Sequence, residues 1–328
     1  MKIIGLEEHF AMPPVAGAPV RKGRPPLEAG SMIGAACHEM PDAAFDLDEK
    51  RIAAMDKDGV TMQVLSTPGA QSWPAETAVE LCRKSNDYLA DAVKRHPDRF
   101  AGFAAIPTAV PEACAAELER AVKELGMVGC LIGNRADGTK FLDKPCFEPF
   151  LAKCEELDVP IYLHPGEPPA EVTEQCYKGN FSNDKMVSVF CRYGMGWHVD
   201  VGVHMMHMIL TGVFDRHPRL QIILGHWGEF LPYYIDRFDN AMPAAFAGLK
   251  HDPSYYLRNN MYVTSSGINT PEAMEFCAKV LGADRLMFSA DYPFASFAGS
   301  EKLFNCPSLS LEDREKFAHG NAERLLKL

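Results

Sequence analysis

Short apolar segments alternate with amphipathic patterns along the chain. Between the segments, apolar residues spaced three or four apart predict helices, as at Cys114, Leu118, Ala121 and Leu125. Strands that alternate with helices form a parallel sheet, and eight such units close into a barrel, so we predict an α/β fold, a (β/α)8 TIM barrel. The eight predicted strands are 2–6, 61–66, 100–106, 127–132, 160–163, 220–224, 261–265 and 286–289.

Two connections between predicted elements are much longer than the others. Residues 11–46, after the first strand, contain six prolines and four glycines, and residues 165–219, after the fifth strand, carry one predicted helix over 200–214 behind an irregular stretch. Long connections of this kind in a compact domain are usually functional, so we interpret both as lid insertions over one mouth of the barrel. No linker or repeat divides the chain, which predicts a single domain over 1–328.

Motifs and charge restrict the partners. No G-x-G-x-x-G follows the first strand and no G-x-x-x-x-G-K occurs, which disfavours an open nucleotide-binding sheet. The chain has 33 Lys and Arg against 44 Asp and Glu, a net charge of −11, with no basic cluster, so nucleic acid and anionic membrane surfaces are poor candidate partners. A small anionic substrate would therefore need a local cation.

Cysteine usage and the apolar profile indicate the compartment. The ten cysteines include no C-x-x-C pair and mostly lie in apolar patterns, which is typical of buried thiols in a reducing compartment. The first apolar run is too short for a signal peptide, and no segment has the length of a membrane span. We therefore expect a cytoplasmic protein.

Polar side chains follow four of the predicted strands. Glu7 and His9 follow the first strand, His164 the fifth, His226 the sixth and Asp291 the eighth. The carboxyl ends of barrel strands form the face on which active sites are built, so we expect these side chains to converge.

Four of these residues suit a metal ion. Side chains alternate along an extended segment, so Glu7 and His9 point the same way and Glu8 the opposite way. Together with His164 and Asp291 they supply two imidazoles and two carboxylates, a donor set for Zn²⁺, Mn²⁺ or Fe²⁺ with positions open to substrate. The alternative for each histidine alone is an ordinary loop residue, and the coincidence at matching strand ends favours the metal site.

Other histidines fit structural roles better. His204 and His207 lie three apart on an apolar predicted helix, and no acid accompanies them as a zinc motif would require. We interpret both as packing residues.

Four motifs resemble the amidohydrolase superfamily over nearly the whole chain: the E-x-H in LEEHF, the H-P-G after the fifth strand, G-H-x-G-E after the sixth and S-A-D-Y-P after the eighth. The usual H-x-H is replaced by Glu7-x-His9, and the fourth strand ends in Gly133 and Asn134 without a bridging lysine. The resemblance therefore implies one metal ion. LEEHF and GVFDRHPRL with GHWGE most resemble the non-oxidative decarboxylase branch, whose members act on γ-resorcylate (2,6-dihydroxybenzoate), 2,3-dihydroxybenzoate and 5-carboxyvanillate.

The resemblance implies a reversible, metal-dependent decarboxylase of an ortho-hydroxybenzoate, with one Mn²⁺ or Zn²⁺ per chain in a homodimer or homotetramer. Such an acid chelates a divalent cation through its carboxylate and phenolate, and the ring carbon must be protonated before CO2 leaves. The resemblance gives Asp291 the role of general acid. His226 and Glu229, three apart at the start of the next predicted helix, fit a hydrogen-bonded pair that sets the proton state there. The alternative for Glu229 is an acid that favours the helix dipole.

Two further residues are candidates for substrate binding. Arg237 occupies the place where this branch has an arginine near the substrate, and its alternative is a surface ion pair with Asp236 or Asp239. Phe294 fits an apolar wall for the aromatic ring or, equally, a core position.

Two rival functions remain open at this stage. One is a hydrolase or hydratase of aromatic catabolism, similar to lactonases, in which a metal-activated water attacks the substrate on the same barrel. The other is a catalytically silent barrel with a structural metal, which open coordination positions under lids disfavour.

Overall fold

The computed structural model describes residues 1–12, 41–136, 139–183 and 185–328. Eight strands form one sheet in chain order, and each strand pairs in parallel with the next. A hydrogen bond from the Leu6 amide to the Phe288 carbonyl, 3.2 Å long, links the first strand to the segment that follows the last one. The predicted barrel is confirmed. The strands are β1 Ile4–His9, β2 Met62–Ser66, β3 Phe100–Ala105, β4 Gly129–Gly133, β5 Ile161–His164, β6 Ile222–Leu224, β7 Met261–Thr264 and β8 Leu286–Met287.

Helices connect the strands. In the described ranges the α-helices are α1 Pro41–Phe45, α2 Glu49–Asp58, α3 Ala75–Arg95, α4 Pro111–Lys123, α5 Glu148–Leu157, α6 Ala170–Val172, α7 Met186–Cys191, α8 Gly196–Leu210, α9 Val213–Arg216, α10 Ile235–Ala241, α11 Ala244–Ala247, α12 Pro253–Asn259, α13 Pro271–Leu281, α14 Glu301–Phe304, α15 Leu311–Glu315 and α16 Asn321–Leu326. Short 3-10 helices are Ala70–Ser72, Pro145–Phe147, Leu231–Tyr234 and Ala283–Arg285, and π-helical turns are Thr173–Tyr177 and Lys316–Gly320.

The segment after β5 is more helical than predicted. The single helix expected over 200–214 begins at Gly196 and ends at Leu210, and a second one, α9, follows Gly212, which has a left-handed φ of 71°. The stretch before it is not irregular throughout, because it holds α6, a π-helical turn and α7. Residues 13–40, most of the other predicted lid, lie outside the described residues, and a lid role for either segment stays a prediction.

The first strand extends further than predicted and contains an irregularity. It ends at His9, so Glu7 and His9 are part of β1 and do not follow it. Strict alternation from Leu6, which lies in the barrel interior, would turn Glu8 inward. The register against β2 shifts between Gly5 and Glu8, and the Glu8 carboxylate occupies the space beside Gly5, where a Cβ would collide with it. The irregularity thus leaves Glu7 and His9 facing the barrel mouth, as predicted.

Apolar side chains fill the barrel below this mouth. Leu6, Val64, Phe103, Leu131 and Ile223 belong to one buried interior cluster, and a larger cluster lies between the strands and the surrounding helices. The barrel is therefore a packed core that supports polar residues at one end, not a pore.

Two further features bear on the sequence analysis. Across the described ranges, no helix combines the length and the apolar character that crossing a membrane requires. The nine described cysteines are free thiols; Cys146 and Cys176 are exposed, and the others are buried.

Candidate metal centre and active site

The four predicted metal ligands meet at the carboxyl ends of the strands. Glu7 and His9 come from the end of β1, His164 from the end of β5 and Asp291 from the segment after β8, and one ligand atom of each lies within 4.8 Å of the others. Glu7 Oε1 is 3.1 Å from His164 Nε2 and 4.0 Å from His9 Nε2, and His9 Nε2 is 3.2 Å from Asp291 Oδ1. One small cation in the middle would reach all four.

The atoms that face this centre lack other partners. Glu7 Oε1, His9 Nε2 and Asp291 Oδ1 are buried, and none makes a hydrogen bond within the described part of the chain. Such atoms are rare, since buried polar groups are nearly always bonded. His164 Nδ1 lies 2.7 Å from the Pro165 carbonyl. A carbonyl only accepts, so Nδ1 carries the proton and Nε2 keeps its lone pair for a metal ion. The donor set fits a divalent cation.

Hydroxyl groups orient the Glu7 carboxylate. Its Oε2 accepts hydrogen bonds from the hydroxyls of Tyr162, at 2.6 Å, and Ser266, while Oε1 is left toward the centre. A Cβ on Gly225 would lie 2.9 Å from Oε2, so the glycine after β6 leaves room for this arrangement. Burial alone would raise the pKa of Glu7, but the close approach of His164 and the nearby rings of His226 and His9 hold that pKa well below its usual range. Glu7 is therefore an ionised ligand.

Burial and nearby charges shift the pKa values of two other side chains of the centre, His9 and Asp291. Burial and the nearby His164 lower the pKa of His9 to about 3, which keeps its imidazole in the neutral form that binds metals. Burial and the negative charge of Glu7 raise the pKa of Asp291 well above its ordinary value. Asp291 also has a left-handed φ of 65°, a conformation that the surroundings must enforce in a residue other than glycine.

Glu8 holds the backbone on both sides of Asp291. Its Oε1 accepts a hydrogen bond of 2.8 Å from the amide of Ala290, and its Oε2 accepts one of 3.0 Å from the amide of Tyr292. The glutamate that points away from the centre thus supports the strained position of a predicted ligand.

We predict that Glu8→Gln weakens Mn²⁺ binding about 10-fold. The NH2 group of the glutamine would face one of the two backbone N–H donors, and the resulting repulsion would displace Asp291. The loss of an outer partner of a ligand typically costs about 10- to 100-fold in metal affinity. Isothermal titration of the metal-free protein with Mn²⁺ measures the change, and the exposed Glu76→Gln on α3 is the matched control. Equal affinities for Glu8→Gln and the control would contradict this role.

A second polar cluster consists of His198, His226 and Glu229. Glu229 is buried between the two rings: Oε1 lies 2.8 Å from His226 Nδ1, as predicted, and Oε2 lies 2.7 Å from His198 Nδ1. Sequence reasoning missed His198, which α8 brings in and whose surroundings in the sequence form no motif. His198 Nε2 lies 2.9 Å from the indole nitrogen of Trp197 and 3.1 Å from the Tyr193 carbonyl, so neighbours at both ring nitrogens fix the orientation of this imidazole.

The charges of this cluster favour a protonated His226. Burial lowers the pKa of His226, but the adjacent Glu229 outweighs burial and raises that pKa to about 9. Burial raises the pKa of Glu229, but His226 and His198 hold it below its ordinary value. The protonated ring of His226 therefore faces the Glu229 carboxylate. The carboxyl groups of Glu7 and Asp291 also raise the pKa of His226.

The turn that carries His226 and Glu229 differs from the prediction. Glu229 was expected at the start of a helix, but the 3-10 helix begins only at Leu231, and Glu229 has a left-handed φ of 52°. The φ values of His226, Trp227 and Phe230 are also positive, at 49°, 59° and 68°. This conformation costs roughly 1–2 kcal/mol per residue with a side chain. The helix-dipole alternative for Glu229 is wrong, and its two histidine partners account for its position.

Of the two predicted substrate-binding residues, Phe294 lies beside the metal centre, whereas Arg237 is exposed on a helix. The ring of Phe294 is half-buried, and its centroid is 5.5 Å from that of His9, beside the centre. Arg237 is exposed on α10, and among the described residues it joins no hydrogen bond or ion pair, including the alternative pairs with Asp236 and Asp239. A substrate contact for either side chain stays a prediction.

His204 lies in the core, as expected. It is fully buried, and its Nε2 accepts a 2.8 Å hydrogen bond from the Leu142 amide. Burial lowers the pKa of His204 to about 3, so it stays neutral.

Fold and site together define a (β/α)8 barrel with a candidate single-metal centre at the carboxyl ends of its strands. The family model described as Amidohydrolase matches residues 35–328, and the chain belongs to the amidohydrolase family. It is 34% identical to a γ-resorcylate decarboxylase of Rhizobium radiobacter, over 99% of this chain and 98% of that protein.

Solved structures extend the similarity. A 2,6-dihydroxybenzoate decarboxylase complexed with 2,6-dihydroxybenzoate superposes with a TM-score of 0.86 at 32% identity, covering 99% of this chain and 98% of the other. A dihydroxybenzoic acid decarboxylase from Polaromonas sp. JS666, with bound manganese and the inhibitor 2-nitroresorcinol, has a TM-score of 0.84 at 33% identity, covering 100% and 97%.

Proposed function

We propose that this protein is a metal-dependent, non-oxidative decarboxylase that converts an ortho-hydroxybenzoate of the dihydroxybenzoate type into a phenol and CO2, reversibly. The observation that carries the proposal is the group of three buried ligand atoms on Glu7, His9 and Asp291 that have no hydrogen-bond partner in the part of the chain that the structure describes. The full-length similarity to dihydroxybenzoate decarboxylases, one of them with manganese bound, supports the same reaction.

The proposed cofactor is one Mn²⁺ or Zn²⁺ per chain. Glu7, His9, His164 and Asp291 would hold it, and their nitrogen and oxygen donors suit either ion. When bound, the ion supplies a Lewis acid for the carboxylate and the ortho phenolate of the substrate, the local cation that a chain of net charge −11 requires.

Side chains of the site carry out the proton transfers of the proposed reaction. We assign the proton donor role to Asp291, which delivers a proton to the ring carbon that bears the carboxylate. The carbon–carbon bond then breaks, its electron pair restores the aromatic ring, and CO2 leaves. His226 and Glu229, 2.8 Å apart, hold a proton close to the site and fit the role of returning one to Asp291.

Substrate contacts and assembly complete the proposal. Phe294, beside His9, would form an apolar wall for the ring, and Arg237 would approach the substrate carboxylate or phenol. Homodimeric or homotetrameric assembly and a cytoplasmic location are proposed on the resemblance and on the thiol-rich composition.

The direct test offers the Mn²⁺-loaded protein 2,6-dihydroxybenzoate, 2,3-dihydroxybenzoate, salicylate and 4-hydroxybenzoate, and measures CO2 release. The three ortho-hydroxy acids can chelate the ion, whereas 4-hydroxybenzoate cannot, so turnover is expected only within the first group. Bicarbonate with the matching phenol should give the reverse carboxylation. A protein that leaves every acid intact and instead opens a lactone or hydrates an alkene would establish the hydrolase or hydratase alternative.

A further inference from the structure

Gln71 is a buried side chain that the proposed reaction does not use. It lies in the 3-10 helix Ala70–Ser72 that follows β2, and it is 1% exposed. Neither its amide oxygen nor its amide nitrogen has a hydrogen-bond partner among the residues that the structure describes. Burying an amide group without a hydrogen-bond partner destabilises the folded state, because the group loses its bonds to water and gains none in return. Such a group needs an explanation.

The amide of Gln71 lies at the mouth of the barrel. A Cβ on Gly133, the last residue of β4, would collide with Gln71 Oε1, so this oxygen occupies the space where a side chain of residue 133 would project. Leu131, two positions earlier on the same strand, faces the barrel interior. Side chains two apart share a face, so the space beside Gly133 also lies on the interior side.

The space beside Gly133 lies at the same level along the barrel axis as the metal centre. Gly133 pairs with His164 across the β4–β5 ladder, so the two residues lie at the same level of the barrel. His164 is one of the candidate ligands. The amide oxygen of Gln71 thus lies beside β4, one strand away from the candidate ligand His164 and on the interior side of the barrel.

Within the described ranges, the other surroundings of Gln71 give it no polar partner. Its helix packs through Ala70 in a small buried cluster with Cys82 and Ala105, against which Trp73 lies. An apolar support together with an amide that has no hydrogen-bond partner among the described residues indicates a group placed for a ligand. An amide both donates and accepts, and a phenolic hydroxyl does the same, so the two are complementary.

We propose that Gln71 is a specificity-determining residue that hydrogen-bonds a ring hydroxyl of the aromatic acid, one that the cation does not hold. This inference rests on the proposed function and names its substrate class more narrowly, as an acid with a second hydroxyl. The glycine at 133 supports the assignment, because any side chain there would displace the amide.

The experiment compares Gln71→Met, which keeps the length of the side chain without its polar atoms, with the wild type. Two acids are used with the Mn²⁺-loaded protein: 2,6-dihydroxybenzoate, with a second hydroxyl, and salicylate, without one. KM for 2,6-dihydroxybenzoate should rise about 3- to 10-fold, the value of one hydrogen bond, while KM for salicylate changes less than about 2-fold. Tm should stay constant or rise, because the variant removes an unpaired buried amide.

A matched variant separates this role from a structural one. Gln63, in β2, is also buried, but its Oε1 accepts a 3.0 Å hydrogen bond from Arg51. Gln63→Met should therefore lower Tm. If Gln71→Met lowers Tm in the same way and leaves both KM values unchanged, the amide serves the fold, through a buried water for example, and the proposal is overturned.

Failure of the proposed function would look different. A wild-type protein that turns over none of the hydroxybenzoates removes the decarboxylase assignment and the Gln71 inference with it. A wild-type protein that turns over both acids, with a Gln71→Met variant indistinguishable from it on both, removes only the Gln71 inference.

Discussion

Asp291→Asn is expected to reduce decarboxylation about 100- to 10,000-fold, the range that a positioned proton donor contributes to a rate. The amide keeps an oxygen for the cation and nearly the same shape, but it has no acidic proton to give to the ring carbon. The hydrogen bonds that the amides of Ala290 and Tyr292 donate to Glu8 do not involve the Asp291 side chain, so the backbone conformation should persist. Single-turnover CO2 release from 2,6-dihydroxybenzoate measures the effect.

Metal content must be measured on the same preparation, because Asp291 is also a candidate ligand. Dialysis against excess Mn²⁺ compensates for weaker metal binding by the variant. If elemental analysis then finds one ion per chain and turnover is still lost, the loss is due to the missing acidic proton of Asp291. The exposed Asp98→Asn serves as the matched control and should retain activity. An Asp291→Asn protein with full activity would remove this residue from the proposed mechanism.

Glu7→Gln is expected to have the larger effect on the cation itself, weakening Mn²⁺ binding more than about 100-fold. The loss of a partner outside the ligand shell already costs about 10- to 100-fold, and here an ionised ligand is replaced by a neutral one. Tyr162 and Ser266 donate to Oε2 in the wild type, so the glutamine will turn its oxygen toward them and its NH2 group toward the centre. Isothermal titration with Mn²⁺ measures the affinity.

The neighbouring Glu8→Gln gives an internal comparison for this result. Both variants make the same chemical change at adjacent positions of β1, but only Glu7 faces the centre. The affinity should therefore fall further for Glu7→Gln. If the order is reversed, the assignment of the inward face of β1 is wrong.

Local sequence patterns were sufficient for the barrel and for most of the centre. Strand formation depends on apolar side chains that lie next to one another in the chain, so all eight strands were recognisable. Glu7, His9, His164 and Asp291 could be grouped because parallel strands in a barrel end on one face, which is a property of the fold class. Polar residues at a strand end conceal its true length, and for that reason β1 was predicted to end before Glu7.

Only the tertiary structure decided what surrounds the centre. His198 lies 31 residues from Glu229 in the sequence, and its hydrogen bond depends on where α8 packs after β5, which no local pattern specifies. The left-handed turn around Glu229 likewise contradicts its local tendency to begin a helix, because two imidazoles hold the carboxylate in place.

The sequence by itself thus determined the barrel, its active face and the four candidate ligands, since these depend on periodicity and on the ends of strands. The tertiary structure decided the bond of His198 to Glu229, the support of Asp291 by Glu8 and the burial of the Gln71 amide without a hydrogen-bond partner among the described residues. These depend on contacts between residues far apart in the chain, and such contacts exist only after the strands and helices have packed.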